Sequence, residues 1–347
     1  MHMFRTCTLL LSKHRPPSHQ LLETYYTGSK ISLSQRSFSV TTPSLFSNSS
    51  TKMTNSASET PKLTEPRLSA SLVLVNSHNE VLLVQRNPQA NSFAGQHVFP
   101  GGNFDAKQDT SLEWTAIRET FEEAGLLLAL SNTPSTLLNI DFTQARKDVH
   151  GEQTTFSTFL INNNLRADLG ALLPFTTWVT PPAAARRFRT EFFIAFLEDP
   201  TSGGLHSGRQ DHLPTPDGGQ EVIQARFLRP ESAIEEYRNG KIGLLPPQYY
   251  ILETLRLILT GSSNTERQRN TVQMLSRAAF GRMVINPKFL RVNNGVNQAF
   301  VYEGDELRGG PKGRLHRMVV GRVGTMNLQR NFDLFTQCPV EVDIPKL

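Results

Sequence analysis

The sequence predicts an α/β protein: a mixed sheet between helices, an α/β/α sandwich, followed by a small β-rich C-terminal extension. Three observations carry this expectation. Two apolar strand patterns, 68–75 and 81–85, are separated by the turn Asn76-Ser77-His78-Asn79. A Pro-Gly-Gly turn then precedes a strongly marked helix that stops at Gly125. Further on, strand patterns at Phe188–Phe196 and Val222–Leu228 are followed by helix patterns at 231–238 and 248–259.

Each element has a local reason. Val98-Phe99 ends a strand, and Pro100-Gly101-Gly102 turns the chain where glycine permits close backbone approach. Asp109, Thr110 or Ser111 caps the next helix, Glu113 lies in its first turn, and Gly125 follows Ala124 as its stop. Residues 199–219, rich in Gly, Pro, Asp and His, read as a long loop, with His206 and His212 at no metal-binding spacing. The helix at 248–259 starts after Pro246-Pro247 and is expected to cover one sheet face. In the extension, 261–347, strands are expected at 299–302, 317–323 and 326–335. The basic glycine turn Arg308-Gly309-Gly310-Pro311-Lys312-Gly313-Arg314 reads first as a hairpin tip and second as a phosphate contact.

Composition excludes several classes. No apolar run approaches the roughly 18 residues of a spanning helix. Cys7 and Cys338 sit near opposite ends with no His/Cys cluster beside them, so neither a disulfide framework nor a structural zinc site is expected. The net charge of +5 suggests nucleic acid, but its distribution does not. Residues 1–45 hold Arg5, Lys13, Arg15, Lys30 and Arg36 against Glu23 alone, and the remainder has a net charge of +1. Residues 1–55, basic and rich in Ser and Thr, read as a mitochondrial transit segment or as an ordinary polar tail; composition favours the first. Domains are therefore expected at 1–55 (targeting), 66–260 (the sandwich) and 261–347 (the extension). A shorter product from Met53, or Pro345-Lys346-Leu347 as a variant peroxisomal signal, gives the alternative address.

The chemistry is concentrated in one helix. Glu119, Glu122 and Glu123 stand at i, i+3 and i+4, so three carboxylates share a face and repel. A hard divalent cation, Mg²⁺ or Mn²⁺, relieves that repulsion and leaves positions for water and a substrate phosphate. Arg118 is placed to orient the first carboxylate by a bidentate bond. A solvated acidic face alone does not explain the Pro-Gly-Gly turn or the terminal glycine.

These residues resemble the Nudix hydrolase family. Arg118-Glu119-x-x-Glu122-Glu123-x-Gly125-Leu126 is similar to the helix of the Nudix box, an RE-x-x-EE-x-G pattern after a glycine loop. Two departures stand out: the loop from Gly102 to Arg118 is two residues longer than usual, and the loop's customary glutamate position is Thr110, with Asp109 the nearest acid. Upstream, Leu82-Leu83-Val84-Gln85-Arg86, Gly95 and Phe99-Pro100-Gly101-Gly102 resemble the coenzyme A motif of Nudix diphosphatases. Val84, Asn87 and Asn91 stand where that motif has Thr, Ser and Arg. Trp178-Val179-Thr180-Pro181-Pro182, the strand at 187–197, Gly219-Gln220-Glu221-Val222 and Pro246-Pro247 resemble the branch called nucleoside diphosphate-linked moiety X motif 19. The resemblance covers about 68–260.

The resemblance implies a Nudix sandwich and a metal-dependent diphosphatase with Glu119, Glu122 and Glu123 as metal ligands. Its first substrate is coenzyme A or an acyl derivative, hydrolysed to 3′,5′-ADP and 4′-phosphopantetheine; the branch is associated with mitochondria and peroxisomes. Other diphosphates (dinucleotides, nucleotide sugars, capped RNA ends) are the alternative, and a catalytically inactive binding module is the third reading. For the general base, Glu221 is the candidate, with a solvent-facing glutamate at a strand start as its equal rival. Gly101 and Gly102 are candidate substrate contacts. Arg86 and Arg187 or Arg189 are candidate phosphate contacts, or surface charges on strands.

Overall fold

The computed structural model describes residues 65–90, 92–131, 140–197, 214–292, 297–321 and 325–339. The targeting segment expected at 1–55, most of the expected loop 199–219 with His206 and His212, and the Pro345-Lys346-Leu347 end lie outside them.

The chain runs β1 (Arg67–Val75), β2 (Val81–Arg86), β3 (His97–Val98), β4 (Gly101–Asn103), α1 (Leu112–Ala124) and β5 (Ala129–Ser131). Next come α2 (Phe142–His150), α3 (Phe156–Asn162), β6 (Leu165–Ala167), β7 (Leu173–Val179), β8 (Phe188–Phe196) and β9 (Val222–Leu228). Then follow α4 (Pro230–Arg238), α5 (Pro246–Leu255), α6 (Glu266–Arg277) and β10 (Val284–Ile285). Last are β11 (Lys288–Val292), β12 (Asn297–Val301), β13 (His316–Val320) and β14 (Met326–Arg330).

The main sheet is mixed, with path order β10-β7-β8-β1-β2-β3, β4 pairing with β1 and β9 with β2. The expected β1–β2 pair is a hairpin that opens at once: only Val75 and Val81 register. Beyond that point β1 lies parallel to β8 from Arg67↔Phe188 to Val75↔Phe196, and β2 pairs with β9 and β3. The continuous β3–β4 segment crosses between the diverging strands and carries the Pro-Gly-Gly turn into the middle of the sheet.

Both sheet faces are covered, which is why β1 and β2 read as apolar runs rather than alternations. Leu72, Leu74, Leu82, Val84 and Phe193 pack against Ala116, Ile117 and Phe121 of α1, with Phe156 and Phe159 of α3 behind. Val73, Val75, Leu83, Phe192 and Ile194 face Tyr249, Tyr250 and Leu252 of α5 and Val272 and Leu275 of α6. The sandwich expectation therefore holds. Three boundaries differ. Pro246 and Pro247 lie inside the first turn of α5, where a missing N–H costs nothing. Helices α2 and α3 occupy a stretch without a clear apolar period, and their stability comes from packing on α1. Helix α6 and strand β10 belong to the sandwich, β10 pairing with β7 beyond the domain edge expected at 260.

The C-terminal sheet is an antiparallel meander, β11-β12-β13-β14, starting at Lys288. The strand expected at 299–302 is Asn297–Val301, and those expected at 317–323 and 326–335 are shorter, ending at Val320 and Arg330. Tyr302, Met318 and Met326 join the core of the α5 face. Tyr250 Oη lies 2.9 Å from His316 Nε2, whose Nδ1 is 2.7 Å from the Glu303 carbonyl oxygen. The arginines of the basic turn are absorbed internally: Arg308 donates to the Asn286 and Val301 carbonyls, and Arg314 lies over the Phe332 ring. The turn is thus a tip braced from within.

Candidate active site

Helix α1 is fixed at both ends. Ser111 is the cap, its hydroxyl accepting from Trp114 N–H, and Gly125 ends the helix at φ +73° with its N–H on Phe121 O. The intervening residues bury Ala116, Ile117 and Phe121, which turns Glu119 and Glu123 toward the crossing β3–β4 segment.

The two glycines are a floor for these carboxylates. The Gly101 N–H donates to Glu123 Oε2 at 2.9 Å, and a Cβ on Gly101 would lie 2.3 Å from the Ala70 carbonyl oxygen. A Cβ on Gly102 would lie 2.3 Å from Glu119 Oε1. Their role is close approach, as the sequence suggested.

Two arginines contact five carboxylates. Arg118 forks onto Asp109, Nε to Oδ1 at 2.8 Å and Nη2 to Oδ2 at 2.9 Å. Its Nη1 reaches Glu119 Oε1 at 2.9 Å and Glu122 Oε1 at 3.1 Å. The expected bidentate bond to Glu119 is therefore made to Asp109, the displaced acid of the lengthened loop. Asp109 is buried and also accepts from the Asp105 N–H and the Thr115 hydroxyl. Arg86 Nη1 lies 2.8 Å from Glu123 Oε1 and 3.2 Å from Glu221 Oε2. Glu221, 49% exposed, is thereby brought beside the helix glutamates. Its loop is held by Asp217, whose carboxylate accepts from the N–H groups of Gly219, Glu221 and Val222.

Negative charge is in excess here. Withdrawal from water, opposed by Arg118, pushes the Glu119 carboxyl up to about 7. Burial, with Glu119 as the next cause, pushes Glu123 up to about 8. Among the described residues no three carboxylate, imidazole or thiolate groups converge on one point as a ready cage. The fit to a divalent ion is one of all-oxygen donors and surplus charge.

The other predicted contacts divide. Arg187 is buried and its Nε donates to the Thr180 carbonyl across the β7–β8 connection. Arg189 acts on Glu191, partly offsetting the rise that burial imposes on that carboxyl. Sequence reasoning passed over two residues of α2. Arg146 Nε donates to the Glu122 carbonyl at 2.7 Å, and His150 Nδ1 lies 3.5 Å from Glu122 Oε2. Contact with that carboxylate raises the His150 pKa. Their i, i+4 spacing was legible once a helix was known; the helix itself was not.

The family model for the NUDT19 Nudix domain matches residues 109–256, a span that begins at the aspartate gripped by Arg118 and contains all three helix glutamates and Glu221. Over these residues the chain is similar to the Nudix family. Among curated relatives, putative nudix hydrolase 7 of Caenorhabditis elegans is 28% identical over 193 residues, covering 54% of this chain and 60% of that one. The acyl-coenzyme A diphosphatase NUDT19 of Xenopus laevis is 24% identical over 241 residues (52% and 60%), and that of Homo sapiens 25% over 237 residues (50% and 60%). The chain thus spans about 60% of the length of these relatives. A solved NUDIX hydrolase from Alicyclobacillus acidocaldarius superposes with a TM-score of 0.46 at 24% identity, over 57% of this chain and 95% of that one.

Proposed function

We propose that this chain is a divalent-metal-dependent hydrolase that cleaves the phosphoanhydride of coenzyme A or acyl-CoA to 3′,5′-ADP and (acyl-)4′-phosphopantetheine. The observation that carries this reading is the carboxylate cluster, three helix glutamates, two of them over a glycine floor, with more negative charge than Arg86 and Arg118 neutralise. The coenzyme A assignment is supported by the 82–102 pattern and by the names of the NUDT19 relatives.

Glu119, Glu122 and Glu123 would hold Mg²⁺ or Mn²⁺. When bound there, the ion supplies positive charge to the phosphoryl oxygens and acidifies the attacking water. The chain's own part is positioning and proton transfer. Arg118 aims Glu119 and Glu122, while Arg86 and the Gly101 amide fix Glu123. Glu221 is the most solvent-open of these carboxylates, and it takes the proton of the attacking water. The water oxygen bonds to phosphorus, the bridging P–O bond breaks, and the departing phosphate carries the bond's electron pair. For location we propose the mitochondrion, from the composition of residues 1–55, with the peroxisome as alternative.

The test incubates the full chain with coenzyme A and Mg²⁺ or Mn²⁺ and resolves the products by chromatography, beside Glu122→Gln and a chelator control. Metal-dependent 3′,5′-ADP, absent from both controls, is expected. Intact coenzyme A with either metal would sink the substrate assignment. Cleavage of another diphosphate with the same dependence on Glu122 would retain the hydrolase reading.

A further inference from the structure

We propose that Arg146 is a positioning residue: it clamps the C-terminal end of the glutamate helix to the loop 214–221 and so sets where Glu221 stands relative to Glu123. The function of the clamp rests on the hydrolase reading above; its structural part does not.

The contacts form a closed ring. Arg146 is 8% exposed and belongs to α2, outside both segments it joins. Its Nε donates to the Glu122 carbonyl at 2.7 Å, one of the helix-end acceptors with no partner inside α1. Its Nη1 donates to Thr215 Oγ1 at 3.0 Å and the Pro216 carbonyl at 3.1 Å, while the Thr215 N–H donates to Ala124 O at 3.0 Å. The next residue, Asp217, anchors the Glu221 amide at 2.8 Å. From Glu221 the path returns through Arg86 to Glu123 on the same helix. Gly125 leaves the necessary room, since a Cβ there would lie 3.1 Å from Thr215 Oγ1 and 3.3 Å from Arg146 Nη1. A planar fork is needed, because donors pointing in two directions must reach a helix carbonyl and a loop together. A lysine ammonium keeps the charge but reaches one partner at a time.

The test compares the full wild-type chain with Arg146→Lys and with Thr215→Val, which removes one of the two Nη1 acceptors without touching the arginine. Hydrogen exchange is read at the amides of 217–222 and at those of β1 and β8. Turnover of coenzyme A is read as kcat and KM separately. The clamp predicts about tenfold faster exchange in 217–222 with β1 and β8 unchanged. It also predicts a kcat lower by about tenfold or more at a KM within about twofold, the signature of a misplaced group. Unchanged loop exchange, a rise shared by β1 and β8, or a higher KM at constant kcat would overturn it. If the wild-type chain leaves coenzyme A intact, the substrate assignment falls and the exchange measurement alone decides the clamp. If Arg146→Lys does not fold, Thr215→Val decides it.

Discussion

Among the described residues one device occurs twice, a buried arginine forked onto a buried aspartate, and the two copies differ in what surrounds them. In the C-terminal sheet Arg317 grips Asp305, with both contacts at 2.7 Å. Asp305 also accepts from the His316 and Leu307 amides, and the arginine's remaining reach goes to Glu306 of the same turn. Charges there close within a single hairpin. In the helix region Arg118 grips Asp109 with the same fork, but its third nitrogen is shared between Glu119 and Glu122. The first pair completes a structure. The second holds surplus carboxylates in place, and that surplus is what a cation-dependent site requires.

The comparison breaks most sharply at Glu123. Glu123→Gln is expected to lower turnover by about 10³-fold, on the order of 4 kcal/mol of barrier. The fold should survive, because the substitution keeps the side chain's shape and removes one of several repelling charges. Steady-state kinetics beside a urea melt checks both halves; loss of the fold together with activity would make the cluster structural.

Arg317→Met should do the opposite. It strands Asp305 as an uncompensated buried charge, at a cost of about 3–5 kcal/mol. The measurement is the urea midpoint, and a loss under about 1 kcal/mol would show that the neighbouring amides suffice for Asp305. Any protein that remains folded should keep its specific activity, since the ion pairs of Arg317 go to Asp305 and Glu306 of its own hairpin and not to the glutamates of α1.

His316 gives a pH test of the C-terminal region. Burial lowers its pKa from 6.5 to about 4, so the neutral ring belongs to the folded state. A group whose folded pKa is depressed contributes stability that is fully present above 6.5 and is lost as pH falls toward 4. The full effect is about 3 kcal/mol. Urea melts of wild type and His316→Gln at a series of pH values isolate this term, because other titrating groups are common to both. A difference that stays flat between pH 7 and 4 would remove His316 from the account.

How much of this was legible follows from how local each signal is. The helix, its Gly125 end and its three glutamates are set by residues within about four positions of each other and were readable, and the Ser111 cap was readable as one of three adjacent candidates. Glu221 was readable as a candidate because Gly218-Gly219 marks a turn just before a strand, while its contact with Arg86 depends on β2 pairing with β9. Asp109 was read as a possible helix cap and as the acid nearest a departed position; its grip on Arg118 depends on the path of the lengthened loop. Arg146 and His150 were missed because α2 has only nine residues and two buried side chains, too few for an apolar period. The early parting of β1 from β2, and the entry of β10 into the main sheet, depend on strand partners over 100 residues away.

The smallest predicted effect probes the shared device itself. Thr115 Oγ1 lies 2.9 Å from Asp109 Oδ2 and is wholly buried, so its hydroxyl helps to satisfy the aspartate that Arg118 grips. Thr115→Val is nearly isosteric and removes only that donor, at an expected cost of about 1–2 kcal/mol. In the C-terminal pair the corresponding donors are backbone amides, which no side-chain substitution removes, so the helix region is the easier of the two to loosen. A freer Asp109 gives Arg118 a less definite position, and Glu119 and Glu122 lose definition with it. Turnover should therefore fall by several-fold, a modest second effect that urea denaturation alone does not report. Stability lost with turnover unchanged would mean that the Arg118–Asp109 fork is as self-contained as its C-terminal counterpart, and the contrast between the two regions would disappear.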